Sequence, residues 1–292
     1  MKTKTRGAVQ MILAMTISGT VGWPVIVLGQ PPATVVFWRC AFGALAMLAT
    51  CAALGQLKSG AINRRQLAFA VLGGLALVLN WTLLFAAYAH ASIAVATVTY
   101  HVQPFMLVAL GALLFGEKLT ANRLGWLLLA FAGMVLIVTG RQSGGGDGDY
   151  LLGVALALGA ALMYALAAAI VKQLAALPPQ LIVLIQLTVG ALAMAPFAGL
   201  ARLPAEPFDW LLLATLGLVH TGVMSTLLYG AIQKIPTALV GALSFIYPAV
   251  AIVVEDRAPS QPVAAAGHAG HSRRGRGHEL RLAMGARRAP GR

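Results

Sequence analysis

Residues 150–171 read YLLGVALALGAALMYALAAAIV, an unbroken run without one charged side chain. The hydrocarbon core of a bilayer is about 30 Å thick, and a helix rising 1.5 Å per residue crosses it in about 20 residues. A run this long and this apolar predicts a transmembrane helix. Eight further stretches of similar character surround it, at 9–28, 33–54, 67–88, 93–114, 122–139, 181–201, 209–231 and 236–254. The whole chain is 59% hydrophobic and only 10% charged, with a mean hydropathy of +0.83. That balance excludes ordinary water-soluble and disordered classes. The expected fold class is therefore all-α: a polytopic membrane protein of nine transmembrane helices. The links between the spans are short, which makes neighbouring helices antiparallel. Helices suit lipid because they satisfy every backbone donor and acceptor locally.

The net charge of +13 is not one patch. Up to Val254 there are 13 Lys and Arg against 5 Asp and Glu, and the remaining 38 residues hold 8 Arg against 3 acids. Ten of the first 13 cations fall on one side of the predicted topology: Lys2, Lys4, Arg6, Lys58, Arg64, Arg65, Lys118, Arg123, Lys172 and Lys234. Only Arg141 and Arg202 fall on the other, and Arg39 lies inside the second span. The positive-inside rule then puts the N-terminus in the cytoplasm of a multi-pass protein of the inner (cytoplasmic) membrane. No nucleic-acid partner is needed to explain the charge. The first span has a basic start but no cleavage site of the small-x-small kind, and reads as uncleaved. Cys40 and Cys51 share a helix about 16 Å apart, too far for a disulfide, and read as buried small hydrophobes.

An internal repeat emerges when Pro104 is set against Pro248. FAAYAHASIAVATVTYHVQPF then aligns with YGAIQKIPTALVGALSFIYPA, matching Phe85 to Tyr229, Ala87 to Ala231 and Ala94 to Ala238. Each half shows a helix ending in small and aromatic residues, a short turn, and a helix with one mid-span proline. Chance likeness between two apolar hairpins competes with this reading; the shared proline and turn spacing favour a repeat. Five spans in the first unit make the second enter the membrane from the opposite side, the geometry of an inverted repeat with a midplane site between its halves.

Gln103-Pro104, the run LLFGEKLT at Leu113–Thr120, and Gly125 resemble the signature of the EamA-type transporters of the drug/metabolite transporter superfamily. So does VVFWRCAFGALAML at Val35–Leu48, with Arg39 near the membrane edge. The resemblance implies two inverted five-helix units moving small organic solutes by alternating access. It places a first repeat at residues 8–140 and a truncated second repeat at 150–254. The tail 255–292 departs from the pattern: it is rich in Gly, Ala, Pro and Arg, contains no apolar span, and reads as disordered. A tenth helix is expected there and is missing. Either the reading frame shifted near Glu255 or the basic tail is genuine.

Polar residues inside spans are costly and tend to line cavities. Arg39 has two roles open to it, a positional anchor at the outer interface or a contact for an anionic substrate group. Thr97, His101 and Pro104 share one helix face, adjoined by Tyr100, and Pro104 frees a backbone carbonyl that kinks the helix. Ser244, Tyr247 and Pro248 correspond to them in the second half. Asn80 and Trp81 with Tyr88, then Tyr164, Gln186, His220 and Tyr229, either extend the candidate cavity lining or serve as helix–helix hydrogen bonds and interfacial anchors, and Trp23-Pro24 either kinks the first span toward the cavity or packs as ordinary core. No Asp or Glu is mid-membrane, so proton coupling, if present, falls to His101 or His220. There is no nucleophile elbow, metal spacing or phosphate loop; Gly144–Gly148 reads as the linker between repeats. The expected partners are a small-molecule solute, the lipid bilayer and, through the last helix of a repeat, a second copy of the chain, with no cofactor. A non-transporting or defective protein that only binds lipid or partner helices is the competing class.

Overall fold

The computed structural model describes residues 2–58, 60–91, 93–118, 120–139, 150–199, 204 and 206–257. Arg141, the Gly144–Gly148 linker, Arg202 and the tail beyond Arg257 lie outside the described residues.

All nine apolar stretches are helical, and there is no strand among the described residues. The first span is α1 (Lys2–Gly19) followed by α2 (Gly22–Leu28), the second α3 (Pro32–Ala53), and the third α4 (Arg64–His90). The fourth divides into α5 (Ile93–Tyr100) and α6 (Gln103–Phe115), and the fifth is α7 (Ala121–Thr139). Then follow α8 (Tyr150–Gln173) and α9 (Pro179–Met194), the latter extended by a 3-10 turn at Ala195–Phe197. The eighth span runs through α10 (Pro207–Gly217), a π-helical turn at Leu218–Val223, and α11 (Met224–Ile232). The ninth divides into α12 (Thr237–Ser244) and α13 (Ile246–Arg257). Among the described residues, seven of these spans are long and apolar enough to cross a membrane.

Local chemistry sets the boundaries. Prolines open α3, α9 and α10, where a missing N–H costs nothing. Asn63 and Gln66 form a reciprocal capping box at the start of α4. Gly116 ends α6 at φ 62°, a left-handed conformation that a side chain would strain, and turns the chain into Glu117.

A shift of 144 residues turns the bounds of Ile93–Tyr100 into those of Thr237–Ser244. The same shift carries Arg64–His90 to within two residues of each end of Pro207–Ile232. Packing obeys the same exchange. The α4–α8 interface corresponds to α1–α11, while α3–α9 maps onto itself. The two halves are thus related by an approximate two-fold.

Close approach relies on small residues, as lipid-embedded helices require. A Cβ added at Gly190 would lie 2.7 Å from Cys40 Sγ, and one at Gly43 2.7 Å from Leu187. Both cysteines are buried free thiols. The exterior is apolar, with Leu113 and Leu151 80% exposed, which suits acyl chains rather than water.

The alternating spans gather Gln10, Glu117, Lys172 and Lys234 at one end of the bundle, called here the basic end. At the opposite end the Thr34 hydroxyl donates to Ala198 O at 2.9 Å, and Trp38 meets Trp210 edge to face.

Candidate functional site

A belt of polar and aromatic side chains crosses the middle of the bundle, drawn from both halves. It begins at the opposite-end side with Arg39 on α3. The guanidinium lies 5.2 Å from the Trp81 ring centre on α4, and its Nε donates to Thr221 Oγ1 at 3.1 Å. Thr221 belongs to the π turn and donates its own hydroxyl to Leu216 O at 2.7 Å, leaving its oxygen lone pairs for Arg39. An arginine at a helix centre costs about 2.5–3.5 kcal/mol on insertion scales. A cation–π contact returns about 0.5–2 of these, according to its exposure.

His220 is next to Thr221 in the same turn. Thr20, in the gap between α1 and α2, donates to Ile17 O at 2.8 Å, and its hydroxyl is hydrogen-bonded to His220 Nε2 at 2.9 Å. The wide π turn therefore aims two adjacent side chains at two different spans, α3 and the first. A regular helix would put them about 100° apart without that extra room.

The belt continues through Asn80. Its amide donates to Ala160 O at 2.9 Å and to the Tyr100 hydroxyl at 3.3 Å. Tyr100 is edge-on to Tyr164, with ring centres 6.4 Å apart. On α9, Gln186 Oε1 accepts from the Tyr229 hydroxyl. Gly73 of α4 has no side chain where the Gln186 amide nitrogen lies, and so admits it. Asn80 Oδ1, Gln103 Oε1 and Gln186 Nε2 are buried without a partner among the described residues. Each such group costs about 1–3 kcal/mol unless something binds it.

The two helix breaks face each other. His101, between α5 and α6, keeps Nδ1 2.7 Å from Thr97 O. Its ring lies nearly parallel to Tyr247 at 6.0 Å and 6.2 Å from Phe245, which sits in the break between α12 and α13. Tyr88 and Thr97 share a side-chain hydrogen bond. Pro104 and Pro248 are buried just beyond the breaks. Ser244 turns back on its own helix, donating to Gly241 O at 2.6 Å. Trp23 is 41% exposed at the start of α2 and has no described contact with the belt; the first span breaks at Thr20-Val21, ahead of Pro24. The remaining sequence candidates come together. A separate apolar cavity of about 250 Å³ lies between α6, α7 and α12, lined by Phe105, Leu127 and Ala238, and none of the sequence candidates lines it.

A second polar site closes the basic end. Glu117 Oε1 pairs with Lys172, while Oε2 accepts from the Thr237 backbone N–H at 2.9 Å and its hydroxyl at 2.7 Å. Lys172 also donates to Ile235 O at 3.1 Å. Desolvation pushes the Glu117 carboxyl up, but hydrogen bonds from Lys172 and Thr237, and the attraction of the ammonium, outweigh it and hold it below its ordinary value. Nearby, burial and then Arg6 lower the Lys234 ammonium.

Thr20 and Thr221 were not legible as site residues, although His220-Thr221 is a polar pair inside an apolar span. Glu117 was legible only as a span-end residue of the FGE turn.

The chain matches the EamA-like transporter family twice, over residues 5–139 and 151–256. It is 27% identical over 257 residues to the uncharacterized transporter YxxF of Bacillus subtilis (strain 168), covering 87% of this chain and 82% of that protein. A solved structure described only as the crystal structure of a protein shares the fold, with a TM-score of 0.74 over 89% of this chain and 92% of that one, at 20% identity. With both halves matched and helices able to span a bilayer several times, this chain is a multi-pass membrane transporter that belongs to the EamA-like transporter family.

Proposed function

We propose that the protein exports small organic solutes such as metabolites, amino acids or drugs across the inner membrane, with its N-terminus in the cytoplasm. Transport runs by alternating access between an inverted five-helix repeat at 8–140 and a four-helix repeat at 150–254, with 255–292 a separate basic segment. One observation carries this reading: a buried polar and aromatic belt, drawn from both halves at mid-bundle, leaves amide atoms of Asn80, Gln103 and Gln186 without protein partners. A merely structural core would satisfy or omit such groups. A solute passing between the halves satisfies them transiently.

The test is growth of cells expressing the chain, or an Asn80→Ala, Gln186→Ala double variant, on a panel of toxic amino acids, metabolites and drugs. Export predicts resistance to at least one compound with the wild type and its loss with the variant at equal membrane abundance. No resistance to any compound, with no uptake into inside-out vesicles, defeats the reading. Thiol labelling of Lys58→Cys and Lys118→Cys tests the topology, since both belong on the cytoplasmic side.

A further inference from the structure

We infer that Arg39 anchors an anionic headgroup of the transported solute, a carboxylate held by the guanidinium between the Trp81 and Tyr247 side chains. The inference takes from the proposed function only that the ligand is the carried solute.

Arg39 is a cation without a counter-charge. Among the described residues the one ion pair is Lys172–Glu117, at the basic end. The groups within electrostatic reach of Arg39 are Cys40, Tyr247 and His220, none of them a carboxylate. Nε is committed to Thr221, while the terminal N–H groups meet no acceptor among the described residues. The residue as a whole is only partly exposed.

A purely positional arginine would turn outward to water and lipid headgroups. Arg39 does the reverse. Its partner Thr221 lies near the middle of the span Pro207–Ile232, so the side chain reaches toward the centre of the bundle. There it is held by Trp81 on one side and by a threonine fixed in the π turn.

With Nε occupied, the two terminal nitrogens present an end-on fork, which matches the two oxygens of a carboxylate. The Trp81 ring beside the guanidinium favours an apolar or aromatic body next to that group. A cationic solute would meet repulsion from Arg39 and no carboxylate in the belt.

The deciding experiment measures binding to the detergent-purified full chain by ligand-induced thermal shift. The probes are three near-isosteric pairs: benzoate and benzamide, indole-3-acetate and indole-3-acetamide, phenylalanine and phenylalanine amide. At least one carboxylate is expected to bind about tenfold tighter than its amide, the effect of one charge-assisted contact. Arg39→Gln is expected to bring that pair to within about twofold, and Arg39→Lys to keep an intermediate preference because the ammonium lacks the fork. Equal binding within every pair, no binding by any probe, or a carboxylate preference that survives Arg39→Gln overturns the inference. If Arg39→Gln does not fold, the wild-type comparison and Arg39→Lys still decide. Proteoliposome transport separates the two readings. Movement of neutral or cationic compounds unaffected by Arg39→Gln sinks the inference and leaves transport standing. Arg39-dependent carboxylate binding with no compound moved does the opposite.

Discussion

The fourth and ninth spans meet differently at the two ends of the bundle. Toward the basic end, α6 and α12 pack closely: Gly111 abuts Thr237, and a Cβ on Gly241 would lie 3.0 Å from Pro104. Glu117 then ties both to α8 through Lys172 and the start of α12. The symmetry-related pair at the opposite end, α5 and α13, has no comparable packing among the described residues. In the 144-residue register, Glu255 stands where Gly111 stands in the first half, and Thr97 where Gly241 stands in the second. The same helices in the same register are therefore closed by glycine and charge at one end and left apart at the other. On the proposed mechanism, this is the state open away from the basic end.

The largest effect is expected from Gly111→Leu. Even a methyl there meets Thr237 Cγ2 at 2.9 Å and Cβ at 3.0 Å, so α6 and α12 must separate. Overpacking predicts a loss of about 1–3 kcal/mol or more, read as thermal unfolding in detergent. Gly159→Leu is the control, because its Cβ would have only Leu83 nearby, at 3.4 Å. Equal losses in the two variants would show that the basic end is not specially closed.

Glu117→Gln comes next. It leaves Lys172 without its charge partner at a largely buried position, where breaking a pair costs about 1–3 kcal/mol. A cysteine at Ala238 should become more reactive to maleimide in this variant. Unchanged stability and labelling would remove the latch from the comparison.

The pH response is smaller. Glu117 is held below its ordinary pKa, so its contribution is fully present above the unfolded value of about 4.3 and is lost as pH falls through the lower folded one. Stability from this group should be flat from pH 7 to about 5 and decline below about 4, and Glu117→Gln should flatten that decline. A decline that persists in the variant assigns it to other groups.

The smallest effect belongs to the opposite end. Trp38 packs among Phe37, Phe42 and Trp210, yet its indole N–H is buried without a described partner. Trp38→Phe trades lost area against relief of that donor, and should change stability by less than about 1 kcal/mol. A loss larger than that of Glu117→Gln would invert the ranking of the two ends.

The spans and their register were legible because lipid imposes them locally: apolar length marks each helix, and Pro104 against Pro248 marks the repeat. Both prolines lie just past a helix break, as a missing backbone hydrogen bond predicts. Most of the belt was also legible, since Asn80, Gln186 and Tyr229 are conspicuous in apolar runs. Their pairings were not. Gln186 meets Tyr229 only because Gly73 lets α4 and α9 approach, a property of packed helices that neither span carries alone. Trp23 illustrates the converse: an aromatic beside a proline looked like cavity lining and stands exposed. The π turn escaped because hydrophobic periodicity does not register one additional residue in a run apolar on all sides.

That additional residue makes His220 and Thr221 sensitive to the length of the eighth span. The π turn Leu218–Val223 takes one more residue than regular winding to complete the same rotation, so the excess is absorbed locally and Met224–Ile232 stay in phase with α10. Removing one residue there would restore a regular winding and leave Tyr229 facing Gln186. It would draw in the bulge that presents Thr221 to Arg39 and His220 to Thr20. Substitutions in this segment alter single contacts, whereas a one-codon deletion would detach two spans from the eighth at once.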